Sequence, residues 1–287
     1  MREIKFVVPD QYDGITLKSF LRNYVGLSVR QTAKLKREQN GITRNGIKIT
    51  APELLHAGDC IQLRFPDDEK IPEPVPHPIS VVFEDDDLLI VEKPAFMPMY
   101  PCPGHDSDSL ANAVAFHQLA MGEKYAFRPV YRLDRDTTGL VLIAKNPFAA
   151  EKLAGNIRKT YFAIIEGVLN GSGVIDRPID RMPGHAIQRA VMPNGISAVT
   201  RWRAIQSLNG CTLIAVRLKT GRTHQIRVHF SSIGHPLAGD DMYGGSMDKI
   251  YRQALHCGEI RFRHPITGKA MRFCSQLPED MLSCIKI

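Results

Sequence analysis

Two carboxylates and two guanidinium groups fall within five residues in the stretch Arg132-Leu133-Asp134-Arg135-Asp136-Thr137-Thr138-Gly139-Leu140. In an extended chain Arg132, Asp134 and Asp136 share one side, with Leu133 and Arg135 on the other. A carboxylate pair is the equipment of a glycosidase-like acid and base. Asp136, however, opens Asp-Thr-Thr-Gly, where a short polar side chain ahead of a glycine serves to cap backbone amides. This reading makes Asp136 and Gly139 turn architecture and disfavours a paired-aspartate hydrolase. Asp134 precedes the turn, where its side chain can point into a pocket.

A second polar cluster, LKTGRTHQIRVHFSSIGHPLAGDDMYGG, brings Arg222, His224, Gln225 and Arg227 into one short stretch. It is too polar for a plain core strand. His224, His229 and His235 match no standard zinc spacing and have no cysteine beside them, so no metal is expected. No Gly-x-Ser-x-Gly elbow accompanies the histidines. What the cluster can supply is an arginine that keeps a desolvated carboxylate ionised.

Position comes from the surrounding elements. VYRLD and GLVLIAKN read as two short strands flanking the first motif, and ISVVFEDDDLLIVEKP reads as a hairpin turning at Asp85 to Asp87. SLANAVAFHQLA and FAAEKLAGNI read as helices, and YFAIIEGVL as a buried strand. ISAVTRWRAIQ, CTLIAVRLKT and HQIRVHFSSIG continue the mixed pattern. The strands are too many and too unevenly spaced for βαβ alternation, which predicts an α+β domain with a mixed, mainly antiparallel sheet over residues 79–287.

Ahead of it, residues 1–66 form a separate small unit. LKSFLRNYVG places Leu17, Phe20, Leu21 and Tyr24 on one helical stripe ended by Gly26. Ser28 caps a second helix in which Val29, Ala33 and Leu35 are expected inward and Arg30, Lys34, Lys36 and Arg37 outward. An Asn45-Gly46 hairpin and the alternating CIQLRF follow. From Asp13 to Phe65 there are nine Lys and Arg against four Asp and Glu, so this piece holds most of the chain's net charge of +7. Residues 67–78, rich in proline and charge, read as an extended linker.

The 287 residues are 44% hydrophobic, enough for more than one core. The excess of basic residues fits a polyanionic partner. Six scattered cysteines without a CxxC pair read as reduced thiols. The N-terminus lacks the apolar run of a signal peptide, and no stretch approaches the ~18 apolar residues of a membrane span. The expectation is a cytoplasmic protein.

The helix-turn-helix followed by I-x-x-N-G and L-x-x-G-D-x-I resembles the αL RNA-binding fold of small-ribosomal-subunit proteins. That resemblance implies a salt-dependent grip on RNA backbone through Arg30, Lys34, Lys36 and Arg37. From Ile79 to about Pro278 the chain resembles the RluA-type pseudouridine synthases. The residues that carry this likeness are FEDDDLLIVEKPAFMP, RLDRDTTGL, RKTYFAIIEG, GRTHQIRVHFSSIGHPLAGDDMYG and LHCGEIRFRHPITGKAMRF.

The second resemblance implies isomerisation of uridine in structured RNA, ribosomal rather than transfer RNA given the basic module. It implies Asp134 as nucleophile, Tyr161 stacked beneath the uracil and assisting proton removal, and Arg222 as the ion-pair partner of Asp134. Ile226 would pack near the base, and Arg132 would fill the space left by a flipped nucleotide. The chemistry needs no cofactor, and a monomer suffices. The family often has His before R-L-D, where this chain has Tyr131, so any RNA contact made by that His is not carried over. The competing reading is an RNA-binding or RNA-chaperone protein with an idle site.

Overall fold

The first 66 residues build a four-stranded antiparallel sheet from alternating apolar residues. Its strands are β1 (Arg2–Val7), β2 (Ile42–Arg44), β3 (Ile47–Lys48) and β4 (Cys60–Phe65), in the order β1-β4-β2-β3. The computed structural model describes residues 1–66 and 71–285. Strand β1 goes beyond the sequence reading. Between β1 and β2 lie α1 (Leu17–Phe20) and α2 (Val29–Arg37).

Asn45 and Gly46 take left-handed φ values of 50° and 85°, which the tight hairpin requires. Leu17, Phe20 and Leu21 are buried as expected. The helix then widens into a π-type turn over Leu21–Val25, so Val25 goes inward and Tyr24 is left 42% exposed. Ser28 caps α2 by accepting from the amide of Gln31 at 3.2 Å. The inner face of α2 differs from its apolar pattern: Leu35 is buried, but Val29 and Ala33 face solvent. The cause is tertiary, because Gln31 donates its amide to the carbonyl of Pro147 at 2.7 Å.

From residue 79 the elements are β5 (Ser80–Glu84), β6 (Leu88–Lys93), α3 (Leu110–Ala120), β7 (Thr138–Ala144), α4 (Pro147–Leu153) and β8 (Arg158–Glu166). Next come β9 (Ser172–Asp176), β10 (Ile179–Arg181), β11 (Arg189–Val191), β12 (Val199–Leu208), β13 (Cys211–Leu218) and α5 (Gln225–Ser231). The chain closes with β14 (Leu255–Arg263), β15 (Ala270–Cys274) and α6 (Glu279–Ile285).

The large sheet runs β5-β6-β7-β14-β8-β13-β12-β9, with β15 also on β14 and β10-β11 as a separate ribbon. Its pairs are antiparallel except β14 with β7, so the architecture is α+β with a mixed, mainly antiparallel sheet, as read from the sequence. Alternation divides each central strand between two cores. Tyr161, Ala163 and Ile165 of β8 join Ile226 and Phe230 of α5 in the main core, while Ile164 packs with Met281 of α6 on the other face.

Two local expectations are corrected. Residues 129–134 form no strand and make only an isolated bridge from Pro129 to Ile143. HQIRVHF, left without an assigned element in the sequence reading, supplies most of α5. Gly139 lies inside β7, where a Cβ would come within 2.4 Å of the Cys257 carbonyl oxygen. Its φ of 111° and this close approach to β14 explain the glycine, rather than a turn.

The two sheets are joined by side chains. Phe148 of α4 is buried in the core of the first unit against Phe6 and Phe65, at ring separations of 6.0 and 6.1 Å. Arg2 makes a two-bond contact with Asp87 at 2.9 and 2.8 Å, and Asn146 also donates to that carboxylate. Asp85, Asp87 and His264 lie within 4.8 Å of one another, but these partners and the His264–Asp85 contact occupy them. Part of the predicted linker, residues 67–70, is outside the described residues. Farther along, the Glu73 carbonyl accepts from Asn112 and the amide of Val75 donates to the Asn112 carbonyl, so this stretch rests on α3.

Candidate active site

The turn carrying Asp134 is assembled by its own backbone and by distant residues. The amide of Thr137 donates to the Asp134 carbonyl at 3.1 Å, closing the loop before β7. Arg252, buried and paired with Asp280 at 2.7 and 2.9 Å, donates to the Asp136 carbonyl. Gln253 donates to the Thr137 hydroxyl. The Asp136 carboxylate is taken by Arg135 at 2.7 and 3.1 Å, so it supports the turn through an ion pair and not by capping amides.

The Asp134 side chain is 29% exposed, within reach of solvent and substrate. Its charged partner is Arg227, whose Nη1 lies 3.5 Å from the carboxylate. Arg222, expected in that role, is exposed and donates to the Ser197 carbonyl at 3.1 Å. The reason is where α5 begins. His224, at a left-handed φ of 56°, is the N-cap, so Arg222 lies outside the helix while Arg227 lies in its buried first turn. The Arg222 amide instead donates to the Gln225 side chain at the helix start.

Alternation of Ile226, Val228 and Phe230 imitates a strand, but the intervening polar residues are buried too and each has a partner. Gln225 donates to Thr200 and the Val199 carbonyl. Arg227 donates twice to Asp240, at 2.7 and 2.8 Å, and lies over the Tyr243 ring. His229 spans the Thr200 hydroxyl and the Arg177 carbonyl. Burial opposes the Arg227 charge, but the Asp240 bonds and the fields of Asp240 and Asp134 outweigh it and hold its pKa above the ordinary value.

His224 completes the cluster. Its Nε2 is 4.0 Å from Asp134 and its Nδ1 is 2.8 Å from the Tyr243 hydroxyl. Burial lowers its pKa against the pull of Asp134, favouring neutral imidazole. The Tyr243 oxygen already accepts from the Arg189 amide. If that hydroxyl donates to Nδ1, every group is satisfied and Nε2–H faces the carboxylate. Sequence reasoning singled out Arg227 and His224 as part of the polar stretch but did not assign them to Asp134; Asp240, in the same stretch, was overlooked.

Tyr161 and Ile226 are buried on the same core, and the field of Asp134 reaches the phenol. Burial, reinforced by Cys257 and Asp134, pushes the Tyr161 hydroxyl well above its ordinary pKa. Tyr131 donates its hydroxyl to the Leu140 carbonyl at 2.8 Å, and the Lys159 ammonium lies 4.3 Å from its ring centre. Arg132 is exposed, as are Arg30, Lys34, Lys36 and Arg37 on α2.

A family model described as RNA pseudouridylate synthase matches residues 87–232. The chain is 38% identical over 272 residues to the protein named "Uncharacterized RNA pseudouridine synthase YjbO" of Bacillus subtilis (strain 168), covering 91% of this chain and 95% of that protein. It is 36% identical over 278 residues to "Ribosomal large subunit pseudouridine synthase D" of Pasteurella multocida (strain Pm70), covering 90% and 86%. The solved structure titled "Human RNA Pseudouridylate Synthase Domain Containing 1" matches with a TM-score of 0.58 at 24% identity. The match covers 69% of this chain and 83% of that one, a likeness of fold.

Proposed function

The chain belongs to the RNA pseudouridylate synthase family and is an RNA-modifying isomerase; within that activity we propose that Asp134 is the nucleophile that carries uridine through its rearrangement. The reaction breaks the bond from ribose to a uracil nitrogen and remakes it to a ring carbon. That carbon loses a proton and the nitrogen gains one, so nothing is oxidised. A carboxylate serves here because it attacks when ionised and leaves again afterwards.

The observation that carries this reading is the Arg227–Asp134 contact at 3.5 Å. It supplies opposite charge without a tight bond, since Asp240 takes two of the guanidinium's donors. The carboxylate therefore has an opposite charge beside it and retains a free lone pair. Tyr161 and Ile226 provide apolar surface for the turning uracil. Tyr161, buried on the core beside Ile226 and within the field of Asp134, is the proposed stacking partner of that uracil. The target base must first leave its stack, which favours loops and weakly paired sites.

The proposed substrate is large-subunit ribosomal RNA, the RNA named for several similar proteins. The exposed Arg30, Lys34, Lys36 and Arg37 support a grip on its backbone by the first unit, residues 1–66. All proposed residues come from one chain, so a monomer is sufficient. Large-subunit rRNA transcribed with tritium at the uracil carbon that becomes bonded to ribose tests the assignment. Release by the native protein that disappears in Asp134→Asn, with RNA binding retained, is the expected result. Undiminished release by Asp134→Asn overturns it.

A further inference from the structure

Among the described residues, five non-glycine residues adopt a left-handed φ, and three of them are asparagines, which tolerate it. The fourth is His224, beside Asp134. The fifth is Phe96, at φ 61°, in the turn that follows β6. A bulky residue in this conformation is strained, and such strain persists where surrounding structure enforces it, often at functional sites. Burial of the ring does not compensate, because Phe96 is 56% exposed and has no aromatic partner among the described residues.

The enforcing contact is Lys93. Its buried ammonium donates to the carbonyls of Pro94 at 2.7 Å, Met97 at 2.8 Å and Arg135 at 2.7 Å. Two of these acceptors bracket Phe96, and the third is the residue after Asp134. The turn that presents the exposed ring is therefore tied to the loop that carries the nucleophile. Tyr100 lies farther along the same segment, 42% exposed and edge-on to Phe127, and it feels the charge of Arg132. Arg132 has no carboxylate partner among the described residues. Exposed aromatic rings on a basic surface are what hold unpaired nucleotides, because every base has a face to stack.

We propose that Phe96 is a stacking platform for an unpaired base of the substrate RNA next to the target uridine. This deepens the reading of Asp134 as nucleophile and rests on it for the position of the target. Phe96 is a positioning residue: it holds RNA and takes no part in bond making. Its cost in backbone strain is offset by contact with the substrate.

The test compares Phe96→Gly, Phe96→Leu and Phe96→Trp on tritiated large-subunit rRNA transcripts. Glycine relieves the φ strain while deleting the ring, so a purely structural role predicts no loss of RNA affinity. The proposal predicts that KM rises roughly 10-fold in Phe96→Gly and Phe96→Leu, within the usual range of base–aromatic stacking. It predicts kcat within about 2-fold, an unlowered Tm in Phe96→Gly, and native KM in Phe96→Trp. An unchanged KM in Phe96→Gly, or a Trp variant as impaired as the Gly variant, overturns the proposal. So does a fall in Tm for Phe96→Gly, which would make the ring structural. Filter binding is run with Asp134 and with Asp134→Asn, so affinity lost at Phe96 is read whether or not the nucleophile assignment stands.

Discussion

Arg227 is bound more tightly to Asp240 than to Asp134: two bonds of 2.7 and 2.8 Å hold it to the former, while one nitrogen reaches the latter at 3.5 Å. The fully buried Asp240 therefore aims the guanidinium, and Asp134 receives its field without being clamped. Replacing Asp240 by Asn leaves a buried guanidinium with incomplete compensation. A loss of about 3–5 kcal/mol in unfolding free energy is expected, measured by urea titration, with tritium release reduced alongside it.

The two arginines separate in the same assay. Arg227→Gln is expected to reduce kcat/KM by roughly 100-fold, the scale of removing a preorganised charge contact. Arg222→Gln removes an exposed bond to the Ser197 carbonyl and is expected to cost less than about 10-fold. Equal losses would contradict the geometry of α5.

Gly139 has no room for a methyl group. In Gly139→Ala the Cβ would meet the Cys257 backbone while the residue is forced into a φ of 111°. Overpacking and backbone strain together predict a loss of about 3 kcal/mol, visible as a lower urea midpoint. Because Gly139 lies among the first, turn-proximal residues of β7, directly behind the catalytic loop, activity at 25 °C is expected to fall as well.

Three buried histidines set a pH dependence. His224, His229 and His256 are all shifted below the ordinary 6.5, with burial the largest cause in each. Below that pH the unfolded chain takes up protons that the folded protein resists, so the unfolded state binds more. Stability from these groups is present above about pH 6.5 and is lost as pH falls toward their folded values. Urea midpoints measured from pH 7.5 down to 5.5 should decline.

The basic face of α2 is tested through salt. Changing Arg30, Lys34, Lys36 and Arg37 together to Gln is expected to flatten the plot of log affinity against log salt by about 3, if each neutralises one phosphate. Filter binding at several salt concentrations reads this directly. An unchanged slope would remove these side chains from the RNA contact.

Much of this protein was legible in its sequence because the signals are local. The alternation of CIQLRF, the Asn45-Gly46 turn, the Ser28 cap and the hairpin through Asp85 to Asp87 depend on neighbours in the chain, and each forms as read. The motifs around Asp134 and Tyr161 likewise carry the family resemblance within short stretches of chain. Tertiary structure decided which arginine meets Asp134. The alternation of Ile226, Val228 and Phe230 is ambiguous between strand and helix until Thr200, Arg177 and Asp240 are present to satisfy Gln225, His229 and Arg227. The same holds for Gly139, whose requirement comes from Cys257 more than a hundred residues later, and for Phe96, whose strain is held by Lys93 and the carbonyl of Arg135. Local pattern encodes backbone conformation; which buried charge finds which partner is settled only when distant segments exclude water together.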